Sequence, residues 1–295
     1  AGRIPSPGRI SLSPVLTKKG KLYGDLTVAC LDDNEFMIFG SGAAQEMHRR
    51  WFESHMNKFD LTYKNRSDDF HGLGIAGPKS RDVLQKIVKE DVSNNKLKFR
   101  DSRRMFVAGV PAIVNRISFT GELGYEIYVA PHFQIKLYEE LIEAGKEFNI
   151  KPFGSRALMS MRLEKNWGAW TLDYRPDFTA KEAGLDIFIN WDKEFVGKDF
   201  AEKDNSKNKI IPLVVETNDI DVTYNEAVMK GNRSIGYVTS GGFAHFVNKS
   251  VALTYLDTSE INSGKGIQVE INGDMFNCSI IKDPLYDPSG KKMRS

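Results

Sequence analysis

The sequence predicts an α+β region running to about residue 205, followed by a domain built almost wholly of β-strands. Three observations carry this. Before residue 205, strand-like alternation and helix-like periodicity take turns. From residue 210 onward only strand-like runs appear, at short intervals and with turn signals between them. Between these regions, 203–208 is polar and charged and reads as a linker or loop. At 295 residues the chain is long for one core, so two or three domains are expected, divided here as 1–205 and 206–295.

Taken in order, residues 1–20 are rich in Pro, Gly and Ser, then Lys, and predict no regular element. Residues 21–30 alternate: Leu22, Gly24, Leu26, Val28 and Cys30 face one way, and Tyr23, Asp25, Thr27 and Ala29 the other. That is a half-buried strand. Asp32-Asp33-Asn34 is a turn, and 35–39 returns as a strand. Ser41 is placed to cap a helix whose apolar residues are Ala44, Met47, Trp51 and His55. Residues 71–76 form a short strand. Gly77-Pro78 breaks it and opens a helix with Val83, Leu84, Ile87 and Val88 inward. Residues 105–117 and 125–130 read as strands around a turn at 118–124. Pro131 opens a helix with Phe133, Leu137, Tyr138, Leu141 and Ile142 on its apolar side and Gly145 as its stop. Ser155 caps a helix carrying Leu158, Met161, Arg162 and Glu164. The later strands are 210–216, 234–239, 250–256, 267–271 and 276–281, a spacing that suggests a small barrel or sandwich.

Composition excludes several function classes. Basic and acidic residues nearly cancel, at a net charge of +2, and no Lys/Arg run marks a nucleic-acid surface. No apolar run approaches the roughly 20 residues that span a bilayer, so no membrane role is expected. No signal peptide is visible, and the chain starts at Ala1 rather than Met, as a processed chain or a fragment would. Cys30 and Cys278 lie in apolar runs and read as buried thiols, which suits a reducing, cytoplasmic compartment. The five histidines show no metal spacing, so no metal site is expected. Neither GxSxG, nor a P-loop, nor CxxC occurs. Gly40-Ser41-Gly42 opens a helix after a strand, but the third glycine of a dinucleotide fingerprint falls on Gln45.

Several residues carry two readings each. Asp25 sits mid-strand among apolar neighbours, where a carboxylate carries a desolvation penalty unless paired or solvated in a cleft. It is edge-exposed and structural, or it is functional, with Gly24 admitting a ligand close to the backbone and Tyr23 on its face. Glu126 follows the turn of Ser118-Phe119-Thr120-Gly121-Glu122-Leu123-Gly124. It is a solvated hairpin residue, or it turns inward to accept two parallel hydrogen bonds from an amidine-like edge. Arg162 and Glu164 form an internal ion pair that anchors the helix, or Arg162 binds a substrate carboxylate. Trp167, Trp170, Tyr174 and Phe178 are core, or they wall a pocket for a flat ring. His245, after the Gly241-Gly242 turn, is a surface residue or a cleft residue.

Taken together, the segments GRISLSPVLTKKGKLYGDLTVACL, FMIFGSGAAQEMHRRWF, GIAGPKSRDVLQKI, ISFTGELGYEIYV, KPFGSRALMSMRLEKNWGAW, YRPDFTAKEAGLD and GYVTSGGFAHFVNKSVAL occur in order nearly end to end. In them the chain resembles the aminomethyltransferase (glycine-cleavage T-protein) family. It is most similar to the branch fused behind a flavin domain in dimethylglycine and sarcosine dehydrogenases. The resemblance implies two mixed α/β subdomains around a central folate cavity and a C-terminal antiparallel β-barrel. It implies tetrahydrofolate as cofactor, with FAD only in a separate N-terminal dehydrogenase domain that acts as partner. It implies that an iminium from N-methyl amine oxidation is captured as 5,10-methylenetetrahydrofolate. The rivals are a folate-dependent methyltransferase or demethylase and a non-catalytic folate-binding module. Asp25 matches the aspartate beside the folate's reactive nitrogens, and Glu126 the carboxylate that holds the pterin. Arg162 falls on the arginine of the RLE motif, and Tyr23, Trp170, Tyr174 and His245 complete the expected folate contacts. Trp170 and Leu12 stand where T-proteins carry tyrosine, which favours the dehydrogenase branch. The family's folate region begins some tens of residues before the first block here, so a C-terminal portion of a longer chain is expected. If the source is eukaryotic, the resemblance places the protein in the mitochondrial matrix.

Overall fold

The computed structural model describes residues 1–295. In chain order it begins with strands β1 (Ile10–Leu16), β2 (Leu22–Asp32) and β3 (Glu35–Phe39), which form one sheet in that order. Helix α1 (Gln45–Met56), β4 (His71–Ala76) and α2 (Ser80–Ile87) follow. Then come β5 (Ser102–Val107), β6 (Val110–Asn115), β7 (Gly124–Val129) and α3 (Gln134–Gly145). Helices α4 (Ser155–Glu164) and α5 (Lys198–Glu202) lead into β8 (Asn208–Val215), β9 (Ala227–Lys230), β10 (Arg233–Ala244) and β11 (Lys249–Asp257). The chain ends with α6 (Thr258–Ser263), β12 (Ile267–Ile271), β13 (Asp274–Ile280) and α7 (Lys291–Arg294). No helix is long and apolar enough to cross a membrane.

The chain divides into two compact units. The sheet unit comprises Ile4–Ser11, Thr27–Phe153 and Ser289–Ser295; the barrel unit comprises Ala1–Arg3, Leu12–Leu26 and Gly154–Pro288. In the sheet unit, β4-β7-β6-β5 form an antiparallel sheet. One face is apolar: Ile75, Met105, Val107, Ala112, Val114, Tyr125, Ile127 and Val129 pack with Val83 and Leu84 of α2 and Leu137 and Leu141 of α3. Strand alternation then sends Glu126, Tyr128, Asn115, Ile113 and Arg104 to the opposite face. In the barrel unit, β10-β11-β8-β13-β12-β9 close a six-stranded antiparallel barrel. Leu213, Val215, Val228, Val238, Leu256, Val269 and Ile271 belong to its buried core, and closure leaves no free edge. Leu163 of α4 packs with Ala244, Val251 and Leu253, and Ser160 Oγ donates to the Phe243 carbonyl, which docks α4 on β10.

Most predicted elements are present, and the differences have physical causes. The periodicity predicts a single strand across 105–117. The chain instead makes the hairpin β5–β6, turning at Ala108 (φ 52°) and Gly109 (φ 75°). Two consecutive positive φ values are what a tight two-residue hairpin loop demands. Strand β1 lies in the stretch given no element; its Pro14 is tolerated because β1 is an edge of its sheet. Strand β9 is only four residues long, too short for alternation to register. Ser41 and Ser155 make no side-chain cap: Ser41 precedes a 3-10 turn, and Ser155 is already the first residue of α4, behind Gly154. In α1 the buried side chain is His48 rather than Met47. In α3, Tyr138 is exposed and Leu137 and Leu141 anchor the helix. Gly145 ends α3 as expected, and a Cβ there would sit 2.6 Å from Ile150. Cys30 is buried, Cys278 is half-buried, and both are free thiols.

Candidate functional site

The sequence-predicted residues fall into two groups, one in each unit. In the barrel unit, Leu22, Gly24 and Leu26 of β2 are buried, while Tyr23 and Asp25 on the opposite face are half-buried. The Asp25 carboxyl is pushed up to about 7, chiefly by burial and against a bond from its own backbone. No cation contributes, so desolvation prevails and the group is poised between acid and base at neutral pH.

The loop after α4 brings aromatic rings to the same unit. Its backbone is knotted on one carbonyl: Asp173 N and Tyr174 N both donate to the Ala169 carbonyl, at 2.9 and 3.1 Å. Trp170 and Tyr174 form an isolated parallel bridge, with Thr171 at φ 72° between them. Trp170 is buried. The Gly168 N–H donates to Tyr174 Oη at 3.2 Å, and a Cβ at Gly168 would lie 2.5 Å from the Tyr174 ring. Glycine is therefore required for the ring to lie against the backbone. Burial raises the Tyr174 phenol, and the charges of Asp173 and Asp25 add to the rise.

Beneath this loop lies a buried polar network. Arg162 is 1% exposed and Asp173 0%. Arg162 Nη1 donates to Asp173 Oδ2 at 2.7 Å and to the Trp167 carbonyl at 2.9 Å, and Nη2 donates to Ser240 Oγ at 2.6 Å. The partner of Arg162 is thus Asp173, not Glu164, which instead accepts from the Phe246 N–H at 2.9 Å. The ion pair expected within α4 is corrected to one between α4 and the loop. The network absorbs both Nη groups of Arg162, and its Nε is buried without a partner. His245, just beyond β10, is exposed, its ring edge-on to Phe243 at 5.0 Å.

In the sheet unit, Glu126 is half-buried on the sheet face opposite the apolar core. Tyr128 Oη donates to Glu126 Oε2 at 2.8 Å, and the Tyr128 ring packs on Phe39 at 4.5 Å. Burial pushes the Glu126 carboxyl up against the Tyr128 bond. Two glycines shape the space. Gly72 lies opposite Tyr128, and a Cβ there would meet the ring at 2.8 Å. Gly74 lies opposite Glu126, and a Cβ there would meet nothing within 4 Å. Glu126 is therefore flanked by an open bay over glycine backbone. Gly72→Ala is expected to cost about 1–3 kcal/mol of stability through this overlap, read by urea denaturation; a loss under about 0.5 kcal/mol would mean that the ring is not held there.

Asn115 lies directly opposite Glu126 on β6. Its Oδ1 accepts from Ser102 Oγ at 2.7 Å, and its Nδ2 is buried without a partner. Merging β5 and β6 into one strand hid this residue. The alternation counted back from Glu126 across a correctly placed hairpin would have found it.

An α+β region leads into a closed six-stranded barrel, and two half-buried carboxylates, Asp25 and Glu126, have their affinity for protons raised by burial. Comparison with known proteins identifies the family. The family profile described as the GCVT N-terminal domain matches residues 3–193, and that of the glycine cleavage T-protein C-terminal barrel domain matches residues 208–287. Mitochondrial dimethylglycine dehydrogenase of Homo sapiens is 35% identical over 293 residues, covering 97% of this chain and 34% of that protein. Aminomethyltransferase of Thermoanaerobacter pseudethanolicus is 31% identical over 278 residues, covering 92% of this chain and 75% of that protein. The crystal structure of glycine cleavage system aminomethyltransferase T from Bartonella henselae superposes with a TM-score of 0.85 at 20% identity, over 97% of this chain and 78% of that one, and so shares the fold. The chain belongs to the glycine cleavage T-protein (aminomethyltransferase) family, an enzyme family that binds tetrahydrofolate. It spans about a third of the length of the mammalian dimethylglycine dehydrogenases it matches.

Proposed function

We propose that this chain is a tetrahydrofolate-dependent one-carbon-transfer module that captures the iminium formed when an N-methyl amine such as dimethylglycine or sarcosine is oxidised. The observation that carries this reading is Asp25, a half-buried carboxylate on β2 whose pKa burial raises to about 7. A group so placed stabilises positive charge developing on an amine nitrogen and takes up its proton. Tetrahydrofolate supplies two nucleophilic nitrogens that both bond to the iminium carbon. The carbon–nitrogen bond to the donor breaks, the demethylated amine leaves with one folate proton, the other is released through Asp25, and the product is 5,10-methylenetetrahydrofolate. Glu126 accepts from the N–H edge of the pterin, over the bay at Gly74. In the barrel unit, Tyr23, Trp170, Tyr174 and His245 are the side chains offered to folate, and Arg162 supports the loop that bears Trp170 and Tyr174. In this reading residues 1–205 form the folate region and 206–295 the barrel domain. A FAD-dependent dehydrogenase domain is the partner that supplies the iminium. The compartment is the cytoplasm or, if the source is eukaryotic, the mitochondrial matrix; the mammalian relatives are mitochondrial dimethylglycine dehydrogenases.

Product analysis tests this. The chain is incubated with tetrahydrofolate and an N-methyl amine being oxidised by a flavoenzyme in the same vessel. Accelerated formation of 5,10-methylenetetrahydrofolate supports the reading. 5-Methyltetrahydrofolate would mean whole-methyl transfer, and no acceleration would leave a binding module without catalysis. Glu126→Ala is expected to weaken folate binding by about 1–3 kcal/mol, the usual loss of a charged hydrogen bond; an unchanged dissociation constant removes Glu126 from the pterin.

A further inference from the structure

Asp173 precedes Tyr174 in the loop and is itself wholly buried, and four donors converge on its carboxylate. Its Oδ2 accepts from Arg162 Nη1 (2.7 Å), Ser240 Oγ (2.8 Å) and the Ala169 N–H (2.9 Å), and its Oδ1 accepts from Thr239 Oγ1 (2.5 Å). Its backbone carbonyl accepts from Tyr255 Oη at 3.0 Å, and the Tyr255 ring stacks on Phe178 at 3.5 Å. These donors come from three places: α4, the aromatic loop itself, and barrel strands β10 and β11. Ser240 closes the network, donating to Asp173 while accepting from Arg162. An ion pair kept only to hold α4 would not need two barrel hydroxyls on the same carboxylate. A carboxylate that must fix a loop in one conformation does, because each added donor removes a direction in which the loop can swing.

We propose that Asp173 is the positioning residue of this half-site: it ties α4 and barrel residues Thr239 and Ser240 to the loop, and so fixes Trp170 and Tyr174 where folate meets them. The proposal rests on the functional reading above. It makes the barrel a working part of ligand binding through a residue that never contacts the ligand. Neither Thr239 nor Ser240 is exposed.

The test uses Ser240→Ala and Thr239→Val, each of which removes one donor from Asp173 and leaves the ion pair. Thr254→Val serves as the control. Thr254 is equally buried in the barrel, but its hydroxyl donates to the Tyr237 carbonyl at 2.8 Å and not to Asp173. For each protein the melting temperature and the dissociation constant of 5-formyltetrahydrofolate, by calorimetry, are measured where the chain is fully folded. All three variants are expected to melt earlier. Only Ser240→Ala and Thr239→Val should also bind folate more weakly, by about tenfold, the order of loss when a supporting contact lets a binding group shift. If they bind like the wild type and behave like Thr254→Val, Asp173 is structural and the proposal falls while the functional reading stands. If the wild type itself fails to bind 5-formyltetrahydrofolate, both fall.

Discussion

Replacing Asp25 by asparagine is expected to leave folate affinity roughly unchanged and to slow methylene transfer by about 10²–10⁴-fold, the span for losing a positioned acid–base group. The wild-type rate should rise as pH passes through about 7, where Asp25 ionises, and the variant should lose that inflection. Stability should move the other way. The folded Asp25 holds its proton to about pH 7, whereas the carboxyl of an unfolded aspartate loses it near 3.8. The folded state therefore binds more protons between these values, and the wild type loses stability as pH rises through that window. Asparagine cannot ionise and escapes the loss. Above pH 7 the variant should be the more stable by up to about 4 kcal/mol, at roughly 1.4 kcal/mol per pKa unit. A protein that is slower yet more stable is the signature of a residue retained for chemistry. If the substitution leaves product formation unchanged in an enzyme with its dehydrogenase partner, or destabilises the fold at pH 8, Asp25 does not have this role.

Arg162→Met is expected to be the most destabilising single change considered, at about 3–5 kcal/mol in urea unfolding. It leaves Asp173 fully buried as an uncompensated charge. The hydroxyls of Thr239 and Ser240 and the Ala169 N–H remain on the carboxylate, but hydrogen bonds from neutral donors do not replace a guanidinium. By contrast, Lys136→Met, which breaks a half-exposed i,i+4 pair with Glu140 on α3, should cost under about 0.5 kcal/mol. Similar losses for the two variants would show that the Arg162–Asp173 pair is not the anchor of the loop.

Long, strongly patterned elements were legible in the sequence. The alternation of 21–30 placed Asp25 opposite the buried face of β2, and the apolar spacing of 83–88 and 137–141 located the faces of α2 and α3. Features set by non-local partners were not. Nothing in Met161-Arg162-Leu163-Glu164 shows that Arg162 reaches to Asp173 in a loop and Ser240 in the barrel, because the pair is eleven residues apart and its bridging hydroxyl seventy-eight. The reading of Arg162 with Glu164 followed the nearest opposite charge, and tertiary contact overrode it. Asn115 was hidden by a two-residue turn at Ala108 and Gly109, whose signal is a single glycine. Serines at helix starts mislead for a related reason: the position suits a cap, but the hydroxyls of Ser41 and Ser155 are not used as one.

The central claim is that this fold binds a reduced folate. Calorimetric titration of the chain with 5-formyltetrahydrofolate, repeated on Glu126→Ala, tests it most directly. Saturable binding is expected in the wild type, weakened in the variant by roughly five- to 150-fold, which is about 1–3 kcal/mol. Absence of binding in the wild type, or binding that Glu126→Ala leaves untouched, would contradict it.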